Sequence, residues 1–362
     1  MGEISGASVS PKKTKFTSSV YSFMRETSER VNPKMLEYLE PLRAENPSLY
    51  DVVAHLPKIK VGENNRASML RPTLVRLGYE AGGGKDFEAV LPLATAVELL
   101  NISTYVIDDV FDNCDLRHNE ITVHRKYGDN NAIIAGMLLR ELAGKAVHDA
   151  SEMENFAEIS KLFTDTHYVI YSGQYSDLKM NTHKQISEET YFDRTYKITG
   201  AFIQNCILLG ALAARADEKT ARALSEFGKY YGIAVQIRND LMDFVIPSDN
   251  PSYSRGFKGI SHNDLKEGKM TLPVLHALGV ADEEQREFIM SALGDKSIDN
   301  EKLRELNDLL ARLGSFGYTK GVIEAYGEKA AHALADLPES EAKRNLTQLV
   351  LLLGNIENWM FI

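Results

Sequence analysis

The chain has 362 residues, 44% hydrophobic and 25% charged, the balance of an ordinary globular protein with ample material for a large core. Its formal charge of −10, from 51 acidic against 41 basic residues, argues against nucleic acid as a partner. Two cysteines, Cys114 and Cys206, are too few for a disulfide framework and lack metal-ligand spacing, which fits a reducing cytoplasm.

Residues 1–17 read as a polar tail, with Lys12, Lys13 and Lys15 but no apolar stretch behind them, so no secretory signal is expected. From 18 to 362 a single all-α domain is expected. Apolar residues recur there at helical spacings, short turns rich in Gly, Asp, Asn or Pro separate them, and strand-like alternation is scarce. The pattern predicts helices over 18–42, 69–81, 87–112, 131–149, 152–179, 187–215, 217–245, 272–278, 282–293, 300–313, 318–337 and 339–359. No run approaches the ~18 consecutive apolar residues of a membrane span. The longest irregular segment, 246–267, holds Pro247, Pro251, Gly256 and Gly259 and has the length of a lid.

Two acidic clusters stand out, Asp108-Asp109-Val110-Phe111-Asp112 and Asn239-Asp240-Leu241-Met242-Asp243. In each, the first and last residues are one helical turn apart and share a face, while Asp109 points elsewhere. An acidic cluster on a helix is ordinarily a solvated face. Here the apolar approach from Val97 to Ile107 and a second cluster favour a bound cation, since adjacent carboxylates repel unless one lies between them. Mg²⁺ takes a couple of carboxylates and completes its shell with water and substrate phosphates. Cations that can hold a diphosphate occur at Arg117, Lys197, Arg238, Lys258 and Lys269.

Further motifs stand around the clusters in a fixed order. Leu70-Arg71-Pro72 precedes the first, which leads into Arg117-His118-Asn119-Glu120-Ile121-Thr122-Val123-His124. Gly173-Gln174-Tyr175-Ser176-Asp177-Leu178, the pair Lys197 and Thr199, the run from Gln236 to Asp243, and the run from Asp264 to Pro273 follow. This series resembles the signature motifs of the trans-isoprenyl diphosphate synthases, the family of farnesyl and geranylgeranyl diphosphate synthases.

The resemblance implies an all-α class I isoprenoid (terpenoid) synthase bundle around a central cavity, and a homodimer. It implies that Asp108 and Asp112 bind Mg²⁺, and that Asn239, Asp240 and Asp243 lie at or near a third metal, with Mn²⁺ an alternative ion. Arg117, Lys197 and Lys258 would clasp the diphosphate of an allylic prenyl substrate, with Lys269 beside them on a closing loop. Gln174 would lie close to the diphosphate and the reacting carbon.

Departures from the family pattern bear on the second substrate. The positions that hold isopentenyl diphosphate in the family read Ser68, Arg71, Asn101 and His118, so one lysine, one His or Gln and one arginine are replaced, with Arg66 as partial compensation. Each charge-assisted hydrogen bond to a diphosphate contributes roughly 1.5–3 kcal/mol, so such losses weaken binding by orders of magnitude. The leading expectation is therefore transfer of the prenyl group to an unknown, non-isopentenyl acceptor. Cyclisation or water capture of the same cation comes second, ordinary elongation third, and a regulatory subunit of a heteromeric synthase is the non-enzymatic alternative. Asn239 gives the second cluster a character between synthase and cyclase patterns. Ser103 and Thr104, small where the family closes the tail pocket, imply a long farnesyl or geranylgeranyl tail, with Tyr105 able to shorten it.

Overall fold

The computed structural model describes residues 17–62, 69–118, 120–180, 186–245 and 262–354. Residues 1–16 of the tail, Arg66, Ser68, Lys258 and most of the expected lid lie outside these residues.

The helices run α1 Thr17–Glu45, α2 Pro47–Val53, α3 His55–Val61, α4 Leu70–Ala81, α5 Leu91–Phe111, α6 Val123–Tyr127, α7 Asp129–His148, α8 Phe156–Met180 and α9 Glu188–Thr195. They continue as α10 Ala201–Ala213, α11 Glu218–Val245, α12 Asn263–Lys266, α13 Leu272–Val280, α14 Glu283–Ala292, α15 Asn300–Arg312, α16 Ser315–Ala333 and α17 Glu341–Leu353. The periodicity locates the long helices to within a few residues but passes over α2, α3, α6 and α12, which are too short to show a repeat. It also passes over two short antiparallel strands, β1 Leu116–Arg117 and β2 Glu120–Ile121. The expected helix 187–215 is broken by a π-helical turn over Tyr196–Gly200.

At the centre stand α5, α10 and α11. α5 packs on α7, α10 on α4 and α11, and α11 on α16. Glycine sets the closest of these approaches. A Cβ on Gly78 would lie 2.0 Å from the carbonyl oxygen of Ile207, and one on Gly210 would lie 1.9 Å from that of Val75. No side chain fits at either position, so α4 and α10 meet backbone to backbone.

A second, smaller core forms where the end of α11 meets α12 to α15. Leu265, Met270, Val274, Ile289, Leu306 and Leu310 are buried in it with Phe244. Leu265 and Met270 bracket Lys269 and anchor the loop that carries it. By length and composition Phe87–Phe111 and Glu188–Ala213 are both apolar enough to cross a membrane. The first is 78% buried in its most apolar stretch, as a central core helix would be.

Candidate active site

Asp108 and Asp112 stand at the C-terminal end of α5, where unsatisfied carbonyls already concentrate negative charge. Carboxylates there are unfavourable without a cation. Asp112 is buried and Asp108 half-buried. Asp109 turns into the protein and accepts from Arg117 Nε at 3.0 Å, with a second bond from Nη2. The Arg117 guanidinium lies 4.9 Å from the centre of the Tyr105 ring. Burial opposes its charge, but the Asp109 carboxylate outweighs burial and holds it well above the ordinary arginine range.

The cation facing Asp112 is Lys269. Its Nζ is 3.3 Å from Asp112 Oδ2, 3.4 Å from Asp264 Oδ1 and 3.8 Å from Asp177 Oδ2, with 13% of the side chain exposed. Burial works against the ammonium, and Asp264, Asp177 and Asp108 together hold its pKa well above the ordinary value. One lysine thus joins the first acidic cluster, the Gln174 motif and the loop after α12.

Asp177 also accepts from Arg194 Nη1 at 2.9 Å, and Arg194 Nη2 lies 3.6 Å from Asp240 Oδ2. Asp240 accepts from the Tyr191 hydroxyl at 2.7 Å and from Gln236 Nε2 at 2.7 Å. Gln236 Oε1 in turn accepts from Thr199 at 2.6 Å. Burial lifts the Asp240 carboxyl to about 6, Arg194 opposing the rise and Asp264 adding to it. Asp240 therefore serves the interior network rather than the open face of α11.

Asp243 ties the second cluster to the lysine loop. Its oxygens accept from the backbone N–H of Asn263 at 3.1 Å and of Asp264 at 3.0 Å, at the start of α12. Asn239 is half-buried one turn earlier on the same side. Lys197 lies in the π-helical turn and donates to Asp193 at 2.6 Å. A Cβ on Gly173 would come within 2.9 Å of the Lys197 backbone, so this glycine lets α8 close on the turn. Gln174 follows it, half-buried.

These donors suit a hard divalent ion. Among the described residues no three acidic, histidine or cysteine side chains form a complete cage. Mg²⁺ needs none, because it is held by one or two carboxylates and substrate phosphates. Asp108 and Asp112 fit that role on one side of the site. Asn239 and Asp243 fit it on the other, as an amide oxygen and a carboxylate one helical turn apart on the same side of α11.

On the acceptor side, the Arg71 guanidinium lies 4.6 Å from the Phe202 ring centre, and its Nε is buried without a hydrogen-bond partner among the described residues. Asn101 is buried with its amide nitrogen 3.5 Å from both Glu98 oxygens, and its Oδ1 has no hydrogen-bond partner among the described residues. His118 has a left-handed backbone, φ 55°, and its ring centre is 6.3 Å from that of Tyr105.

Ser103 and Thr104 part company. The Ser103 hydroxyl donates to Gly136 O at 2.8 Å, and the side chain is sealed between α5 and α7. Thr104 is half-buried one turn before Asp108, and its hydroxyl donates to Asn101 O at 2.8 Å. Tyr105 points instead toward Arg117. Sequence reasoning missed Arg194 and Tyr191, which stand six residues or fewer before Lys197 and fall between motifs. It also missed Lys60 and Glu98.

Residues 63–310 match the sequence model of the polyprenyl synthetases. The chain belongs to that family. The short chain isoprenyl diphosphate synthase of Methanothermobacter thermautotrophicus is 31% identical over 330 residues, 91% of this chain and 96% of its own. The geranylgeranyl diphosphate synthase of Sulfolobus acidocaldarius is 28% identical over 316 residues, 86% and 91% of the two chains. The crystal structure of geranylgeranyl pyrophosphate synthetase from Pyrococcus horikoshii Ot3 superposes with a TM-score of 0.84 at 28% identity, over 94% of this chain and 99% of that one.

The family and the all-α bundle read from the motifs are borne out, and this polyprenyl synthetase is a prenyltransferase. The leading expectation for its second substrate is not supported. These relatives are named for making prenyl diphosphates, which favours the third reading, elongation, over another acceptor or cyclisation.

Proposed function

We propose that this polyprenyl synthetase ionises a long allylic prenyl diphosphate, farnesyl or geranylgeranyl, and extends it with isopentenyl diphosphate as a Mg²⁺-dependent homodimer. The observation that carries the reading is the placement of Lys269 against Asp112, with Asp108 one turn away and Asp264 and Asp243 on the facing side. A diphosphate entering between these groups meets Lys269, Lys197 and the carboxylates of both clusters together. Bound Mg²⁺ supplies the charge neutralisation that lets the diphosphate leave.

The allylic C–O bond breaks with its electron pair on the departing diphosphate. The double bond of isopentenyl diphosphate then attacks the freed carbon, and a proton leaves the new cation to restore a double bond. Lys269 and Lys197 stabilise the leaving charge, and Gln174 lies on the helix that borders the reacting carbon. Thr104 on the wall leaves room for a long tail.

Exposed apolar side chains support self-association. Ile133, Ile134 and Met137 share a face of α7, Tyr168, Tyr171 and Tyr175 share a stripe of α8, and Arg140 of α7 acts electrostatically on Tyr171.

The test is product analysis by mass spectrometry with geranyl, farnesyl and geranylgeranyl diphosphates and Mg²⁺, each with and without isopentenyl diphosphate. Extended diphosphates that appear only when both substrates are present are expected. A hydrocarbon or alcohol from the allylic substrate alone overturns the proposal in favour of cyclisation. Transfer to another acceptor is the second reading, favoured by the engagement of the Asn101 amide with Glu98. Diphosphate release from the allylic substrate that appears only when a nucleophile other than isopentenyl diphosphate is supplied would point to it.

A further inference from the structure

Lys60 of α3 lies outside every motif matched above, yet it is paired with Glu98 of α5 in the interior, each side chain 1% exposed. Buried ion pairs stabilise a fold weakly, and apolar residues of similar volume do as well. Packing alone gives no reason for a lysine here.

Its surroundings do. Glu98 also lies within reach of the Asn101 amide, one turn along α5. The Tyr105 ring, a further turn along, has Lys60 Nζ 5.6 Å from its centre and the Arg117 guanidinium 4.9 Å from it. Burial raises the Tyr105 phenol, but Arg71, Lys60 and Arg117 outweigh burial and leave it below its ordinary value, so all three cations act on one point. Against them stand the carboxylates of Glu98 and Asp109, three positive charges to two negative. Lys60 spends one N–H on Glu98 Oε1, and its other two donate to no acceptor among the described residues. Arg71 Nε is likewise unspent. A compact ammonium beside a net positive cluster suits a multiply charged anion.

We propose that Lys60 is a specificity-determining cation for the second substrate's diphosphate, supplying from α3 the positive charge that the chain lacks at Ser68. The proposal rests on the elongation reading for the identity of that substrate. Glu98 holds the ammonium in place between turnovers, and an incoming diphosphate takes its free donors together with Arg71.

Lys60→Met alone would leave Glu98 buried and unpaired, so the test uses the double variant Lys60→Met/Glu98→Gln, with a thermal melt to show that it folds. Binding of isopentenyl diphosphate to the full chain in EDTA is measured by calorimetry. About a tenfold or greater loss of affinity relative to the unaltered chain is expected. In steady state, KM for isopentenyl diphosphate rises by a similar factor while KM for the allylic substrate stays within about twofold. Affinity within about threefold of the unaltered chain overturns the proposal, as does failure of the unaltered chain to bind isopentenyl diphosphate. If the unaltered chain binds through Lys60 but forms no extended product, the elongation reading falls and Lys60 remains an anion site.

Discussion

Lys269 and Asp112, 157 residues apart in sequence, meet at 3.3 Å, and the lysine is shared with Asp264 and Asp177. Removing it takes a shared ammonium away from three carboxylates in a largely enclosed space. Lys269→Met is expected to lower stability by about 2–4 kcal/mol in EDTA, and millimolar Mg²⁺ is expected to restore part of that loss. Melts with and without the ion check this; a variant as stable as the parent in EDTA would contradict it.

Neighbouring aspartates are expected to behave in opposite ways. Asp109 is the buried partner of Arg117, so Asp109→Ala leaves a guanidinium unpaired and costs about 3–5 kcal/mol of stability. Asp108→Ala, in a half-buried position at the helix end, is expected to abolish turnover with every allylic substrate while leaving the melt close to the parent's. Denaturant titration and a diphosphate-release assay on both variants separate these roles.

The tail pocket offers a similar contrast. Thr104→Phe places a ring on the wall and is expected to shorten the product. Ser103→Phe drives the ring into the contact with Gly136 and is expected to destabilise by more than about 3 kcal/mol. Chromatography of products and a thermal melt report the two outcomes.

Stability is expected to fall in mild acid because of His167. Its ring is buried between Phe163 and Tyr171, both ring nitrogens lack hydrogen bonds among the described residues, and burial, helped by Arg140, depresses its pKa to about 4. The unfolded chain takes up this proton near pH ~6.5 and the folded chain resists it down to pH ~4, so stability present above pH ~6.5 is lost as pH falls between them. That shift corresponds to about 3 kcal/mol at full development. Melts from pH 7.5 to 4.5 are expected to be flatter for His167→Phe than for the parent.

The long helices were legible in the sequence because one buried face repeats every three or four residues. So were Asp108 and Asp112, whose charges end an apolar run, and Lys269, which stands in a recognisable motif. Lys60 and Glu98 were not, because each residue alone reads as a surface charge and only their packing makes them a pair. Arg194 was hidden for the same reason, since its partners Asp177 and Asp240 lie on two other helices. The closure of Ser103 against Gly136 depends on how near α7 comes to α5, a distance that no local pattern encodes.

The π-helical turn at Tyr196–Gly200 carries one residue more than a regular helix would use there. Tyr191 and Arg194 before it, and Thr199 within it, reach Asp240 and Gln236 of α11 together only with that surplus in place. Each residue of helix turns the chain by ~100°, so losing one would swing the earlier pair round to another side. The site is thus written partly as a count, which substitutions leave intact and a single deletion erases.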